Sequence, residues 1–215
     1  MKTMSKLLFA IALIALVKLS EAQNFTPNKG YVKYDSEGIA RTVMNLNIKD
    51  YSGTPESIAD DFINDNLNWM CKGETGDFNF KKTIQNPSGF HVIYNQLKNG
   101  IPVIGSETVI SLNNDKSIRF VHNGYKPEIS ITTSPEVELN IAVQIARNSF
   151  NNPDFDLIAP IKSELAIYID SLKTPNLVWK LNILPQEGGD WYILVNAISS
   201  QIVLKEKVLF KNIVG

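Results

Sequence analysis

The residues able to carry out chemistry are few, and their spacing suits none of the common reactions. Histidine occurs twice, at His91 and His122, and cysteine once, at Cys71. Zinc hydrolysis on a helix needs H-E-x-x-H, two histidines one turn apart with a glutamate as general base, and neither histidine sits in such a frame. Ser-His-Asp acyl transfer places its serine on a strained turn of the G-x-S-x-G kind, which the chain lacks. The glycine cradles for phosphate, G-x-x-x-x-G-K-[ST] and G-x-G-x-x-G, are absent as well. His91 falls in an alternating stretch and reads as a hydrogen-bonded strand residue. His122 precedes Asn123-Gly124 and reads as a turn residue, and nothing in the spacing joins either to Cys71 as a metal ligand. Asp60, Asp61 and Asp65 read as the solvated face of a helix. Cys71 follows the apolar pair Trp69-Met70 and reads as a buried, inert thiol. The expectation is a chain without a catalytic site, a metal or a cofactor.

One stretch does stand out, YNQLKNGIPVIGSE at 94–107. Asn99-Gly100 supplies the two positive φ angles of a type I′ hairpin turn. Pro102, lacking an amide donor, belongs at a strand start or on an edge. Gly105 signals a bulge or a close approach of backbone to something else. Shaping a hairpin is the local role of these residues, and any contact with a partner is additional to it.

Composition narrows the setting. With 21 basic and 22 acidic residues the net charge is −1, which gives no reason to expect nucleic acid or an anionic membrane surface as partner. A hydrophobic content of 44% is that of an ordinary globular chain. Residues 1–22 read as a secretory signal peptide: Lys2 and Lys6, then the apolar run LLFAIALIALV, then Ser20-Glu21-Ala22 for cleavage. That run is shorter than the ~20 residues of a membrane span. The expectation is an exported protein, extracellular or periplasmic, that leaves the membrane once the leader is removed. A lone cysteine allows no internal disulfide, so stability must come from the core. Asn24-Phe25-Thr26 matches a glycosylation sequon, which matters only in a eukaryotic source.

The elements that must position the hairpin repeat along the chain. Thr54-Pro55-Glu56 opens a helix with Ile58, Ala59, Phe62, Ile63 and Met70 near one face. Ser134-Pro135-Glu136 opens a second, with Ile141, Ala142, Ile145 and Ala146 as its stripe, ended by Asn151-Asn152-Pro153. Strand-like runs follow each, at 90–97, 108–112 and 118–121, then at 164–169, 177–184, 191–197 and 202–210. Connections this short permit antiparallel pairing only. The expected fold class is therefore α+β, two tandem modules, each a helix packed on an antiparallel β-sheet. The expected segments are a leader (1–22), an extended lead-in (23–53), a first module (54–127) and a second (134–212).

HVIYNQLKNGIPVIGSETVISLNNDKSIRFVHNGY, at 91–125, resembles the fungalysin/thermolysin propeptide (FTP) domain. The shared order is strand, Gln96, the Asn99-Gly100 turn, Pro102-Val103, Gly105, strand, acidic turn, strand. SPEVELNIAVQIARNSF, followed by NLVWKLNIL and DWYILVNAISSQIVLKEK, resembles the PepSY domain that accompanies it, so the modules are expected to be cystatin-like or PepSY-like. Val195-Asn196-Ala197 and Ser199-Ser200 depart from the PepSY pattern of Val-Asp-Ala and a Thr-Gly turn. The resemblance implies a non-catalytic regulator of a secreted thermolysin-like zinc metalloprotease, acting as inhibitor, folding chaperone or both. His91, Gln96, Asn99, Gly100, Pro102, Val103 and Gly105 would form its motif hairpin. Trp179, Trp191 and Tyr192 are candidate anchors by residue type, although large aromatics on alternating strands commonly serve the core. Two other readings remain: the prodomain of a metallopeptidase zymogen whose catalytic domain lies outside this chain, and a generic extracellular binding module.

Overall fold

The computed structural model describes residues 31–74 and 77–208. The proposed leader and the Asn24 sequon lie outside these residues. Among the described residues, no helix is long and apolar enough to cross a membrane.

Helix α1 spans Pro55–Asp65. Thr54 caps it as expected: its Oγ1 accepts from the Ser57 amide at 3.2 Å, and Pro55 takes the first turn, where a missing N–H costs nothing. The run does not continue unbroken to Met70. At Asn66 the helix stops, and the Asn66 side chain bridges the break, donating to Phe62 O at 2.7 Å and accepting from Trp69 Nε1 at 2.7 Å. A short helix α2, Leu67–Cys71, follows and ends on Lys72 in the left-handed region. Helix α3, Leu139–Asn148, begins later than the Ser134-Pro135-Glu136 signal suggests. The amides of Glu136 and Val137 instead donate to Ala197 O, both at 2.9 Å, so a tertiary contact takes the donors that a first helical turn would have left open. Ala142 and Ala146 are buried, whereas Ile141 is exposed.

Eleven strands are described: β1 (Tyr31–Tyr34), β2 (Ala40–Met44), β3 (Phe78–Asn86), β4 (Gly89–Lys98), β5 (Ile101–Pro102), β6 (Thr108–Leu112), β7 (Ile118–His122), β8 (Lys162–Ile169), β9 (Pro175–Ile183), β10 (Trp191–Asn196) and β11 (Ile202–Lys207). One sheet runs β1-β2-β7-β6-β4-β3, with β5 pairing β4 off this path, and the other runs β11-β10-β9-β8.

These findings correct the expected fold class. Among the described residues the chain is mostly antiparallel β-structure in a seven-stranded and a four-stranded sheet, with three helices of 11, 5 and 10 residues. It is not a pair of tandem helix-on-sheet modules. The first sheet draws β1 and β2 from the segment ahead of α1, so it does not simply follow a helix. The order is not tandem either. One compact unit contains residues up to Tyr94 together with Glu107–Pro127, and the other contains Asn95–Ser106 together with the residues from Glu128 onward. The physical cause is the hairpin, whose tip is encoded inside the first stretch and folds with the second.

Each unit has its own core. In the first, Ile58, Phe62, Val92, Ile110, Leu112 and Val121 share one buried cluster. The register Val92↔Ile110↔Val121↔Val43 lines this cluster, as period-2 alternation requires. Asn123 is fully buried in the same unit. Its Nδ2 donates to Ala40 O (3.1 Å) and Met70 O (2.7 Å), and its Oδ1 accepts from the Tyr125 amide (3.1 Å), joining β2, α2 and the end of β7. In the second unit, Ala142 and Ala146 share a cluster with Leu181, Ile183, Ile193 and Val195.

Candidate partner-binding surface

The motif hairpin is built as the residue types demand. Asn99 has φ +52° and Gly100 φ +80°, the pair of positive angles a type I′ turn needs. Leu97 pairs with Pro102 and Lys98 with Ile101 on either side. Beyond the turn, the Val103 amide donates to Gln96 O at 3.0 Å. Ser106 then closes the loop from inside: its hydroxyl donates to Val103 O at 2.7 Å and accepts from the Gln96 amide at 3.1 Å. Ser106 and Gln96 are both buried. Sequence reasoning passed over Ser106, and the available signal was a small hydroxyl directly after a glycine at the end of a hairpin. Gly105 acts through its φ of +70°, with open space where a Cβ would stand. The close backbone approach suggested by the sequence is therefore absent.

Val103 anchors the hairpin within its own unit. It is buried in a cluster with Ile129, Ile167, Leu177 and Ala197, and it forms a parallel bridge with Ile167 of β8. The next amide, Ile104 N, donates to Ile167 O at 2.8 Å. Gln96, Asn99, Gly100, Pro102, Val103 and Gly105 thus come together in one element, while His91 belongs to the other unit.

His91 is half-buried between two neutral partners, Ser111 Oγ at 2.9 Å from Nδ1 and Asn86 Nδ2 at 3.0 Å from Nε2. The Asn86 amide is oriented by Ser88, whose N and Oγ donate to Asn86 Oδ1 at 2.9 and 2.7 Å. Its Nδ2 therefore donates to Nε2, and the neutral imidazole carries its proton on Nδ1, facing the Ser111 oxygen. This is the reverse of a nucleophilic serine site, since no free lone pair faces the Ser111 hydroxyl. His122, at the end of β7, is exposed.

The Cys71 Sγ lies 3.1 Å from both Leu67 O and Glu74 O, two acceptors that share its one S–H donor. Burial, with the Glu74 carboxylate adding to it, pushes its thiol up to about 11, so it remains protonated at neutral pH. Among the described residues, no group of three or more His, Cys, Asp or Glu side chains could hold a metal ion.

Two of the anchor candidates, Trp179 and Trp191, are half-buried and pack against the second unit's core. Trp179 Nε1 donates to Val137 O at 2.7 Å. Trp191 meets Phe150 edge-on at 5.3 Å, with the Lys205 ammonium 5.1 Å from its ring. Tyr192 alternates to the other face and packs with Ala166, Val178 and Leu194. Its phenol is raised, first by burial and then by its neighbour Tyr168 and by Glu164 and Glu206. Nearby, Lys162, Ser163, Glu164, Lys180 and Asn182 line an open recess of about 340 Å³, spanned by the Lys180–Glu164 ion pair. Where the sequence departs from the PepSY pattern, Asn196 Oδ1 accepts from the amides of Ile198 and Ser199, both at 2.9 Å, and Ser200 takes φ +64°. The asparagine side chain holds the turn, and a serine occupies the position that favours glycine.

No family model matches the chain, and no curated protein matches it. Among solved structures it is similar to the Bacillus megaterium YpeB C-terminal domain, at 12% identity and a TM-score of 0.41, over 91% of this chain and 96% of that one. At that score the likeness decides nothing about function.

Proposed function

We propose that this is an exported, non-catalytic, propeptide-like protein that binds a thermolysin-type zinc metalloprotease and acts as its inhibitor, its folding chaperone or both. The observation that carries the reading is the 94–107 hairpin. The residues behind the sequence resemblance form a preorganised element, turned by Asn99-Gly100, closed by Ser106 and anchored by Val103. The protonated thiol of Cys71 and the hydrogen-bond polarity at His91 and Ser111 favour a binding role over a chemical one. Export rests on the leader-like composition of residues 1–22.

A rigid surface complementary to an enzyme stabilises the native enzyme by mass action, and the same surface blocks the cleft while it is bound. Within one polypeptide such a surface works at an effective concentration on the order of mM, whereas a separate chain must bind more tightly on its own. The test is to add the purified chain, without residues 1–22, to several thermolysin-type proteases while following peptide cleavage and the refolding yield of denatured enzyme. The expected result is saturable loss of cleavage or a gain in yield with at least one protease. No change in either, across all of them, overturns the reading.

A further inference from the structure

Strand β3 ends the first sheet in the order β1-β2-β7-β6-β4-β3, so one of its sides has no neighbouring strand among the described residues. It runs for nine residues, Phe78–Asn86, and Asn79, Phe80, Lys81, Lys82, Ile84 and Gln85 are all exposed. A strand with an open side offers a row of unpaired N–H and C=O groups to any extended chain. The other end of this sheet, β1, has four residues.

The edge is also tied to its surroundings at several points. At its end, the Pro87-Ser88 turn is clamped by Asn86, by Asn114 Nδ2 donating to Pro87 O at 3.0 Å, and by Arg119 Nη1 donating to Ser88 O at 3.2 Å. Midway, the Thr83 hydroxyl donates to the Glu56 carboxylate and Lys81 Nζ pairs with Glu107 at 3.0 Å. The Phe78 and Phe80 rings lie 6.4 and 6.1 Å from that of Tyr94. A strand ordered from the sheet side leaves little entropy to be lost when something adds to its outer side.

Charge selects the occupant. Lys81 is answered by Glu107, whereas Lys82 makes no ion pair among the described residues and stands between Phe80 and Ile84, which are 48% and 42% exposed. A second copy added antiparallel about this point would set Lys82 against Lys82, and like charges directly opposite are destabilising. The geometry points to the outer edge of β3 as a docking site for an extended acidic segment of another protein, added as a further antiparallel strand, with a carboxylate at Lys82 and apolar side chains beside Phe80 and Ile84. This holds whether or not the partner is a protease.

The probe is a capped synthetic peptide, TTVTETVTT, with TTVTKTVTT as its charge-reversed control. Each is titrated into the full chain while amide hydrogen exchange is followed. The acidic peptide should slow alternate amides along Phe78–Asn86 and bind about fivefold more tightly than the basic one, and Lys82→Glu, an exposed change that leaves the core untouched, should invert that preference. Three results would each overturn the proposal: no protection of β3 by either peptide, equal binding of both peptides to the wild type and to Lys82→Glu, or concentration-dependent protection of β3 with no peptide present.

Discussion

Strand β4 is bounded by two tight turns that are stabilised in opposite ways. The Pro87-Ser88 turn, between β3 and β4, is held by its neighbour Asn86 and by two side chains from elsewhere, Asn114 and Arg119. Its exit residue, Gly89, is wedged against backbone, since a Cβ there would stand 2.0 Å from Leu112 O. The Asn99-Gly100 turn, between β4 and β5, relies on its own φ angles, and a Cβ on Gly100 would meet nothing within 4 Å. Only the second turn can be read locally, because only there do two adjacent residues contain the reason for the conformation. The first is a product of packing, and it fixes the strand whose open side is the proposed docking edge.

The sharpest way to break this contrast is to add one methyl group at each turn. Gly89→Ala must move the Leu112 carbonyl as well as strain a φ of +133°, and should cost roughly 3 kcal/mol or more. Chemical denaturation of the purified variant measures this, and a loss no larger than that of Gly100→Ala would show that the first turn is as loose as the second. Removing the inner clasp of the second hairpin comes next. Ser106→Ala leaves the Gln96 amide and Val103 O without their shared partner in a buried site and should cost about 2 kcal/mol. Gly100→Ala, which pays only for a left-handed angle in open space, should cost about 1 kcal/mol.

The smallest effect near neutrality distinguishes the units by pH. In the first unit Tyr51 is pushed up to about 12, by burial first and then by Asp65. Tyr94 and Tyr125 are displaced further in the same direction, by burial and then by the carboxylates of Asp60 and Glu74 that their hydroxyls bond. A phenol raised in the folded state contributes stability that is intact below its ordinary value of about 10 and lost as pH climbs through the folded value. The Cys71 thiol of the same unit, raised to about 11 from an ordinary value near 9, begins this loss first, so denaturation midpoints should be flat in pH up to about 9 and then fall, more steeply above about 10, with amides of the first unit exchanging earliest. A midpoint that falls well below that range would place the labile group elsewhere.

Legibility in the sequence followed where each reason resides. The Thr54 cap, the Asn99-Gly100 turn and most of the strands after each helix were readable because capping, positive φ and alternation are local. Strand β3 was not, since Lys81-Lys82 and Gln85-Asn86 break the apolar alternation of a half-buried strand, as an exposed edge allows. The start of α3 was misplaced because the Glu136 and Val137 amides are taken by Ala197, 60 or so residues along the chain. The two tandem modules failed for the same kind of reason, as the hairpin's allegiance to the second unit depends on Val103 meeting Ile167. Of the candidate surface, the hairpin could be seen in advance, and the half-buried packing of Trp179 and Trp191 against the second unit's core, which their residue type allowed, needed the structure to place.

The proposed function depends most on the protein gripping its target unaided. Calorimetric titration of the chain into a thermolysin-type protease, inactivated at its general base so that neither is cleaved, measures this directly. The expected result is a saturable one-to-one complex that persists through size exclusion. Absence of heat at micromolar concentrations, with the two proteins eluting separately for every such protease tried, would contradict it.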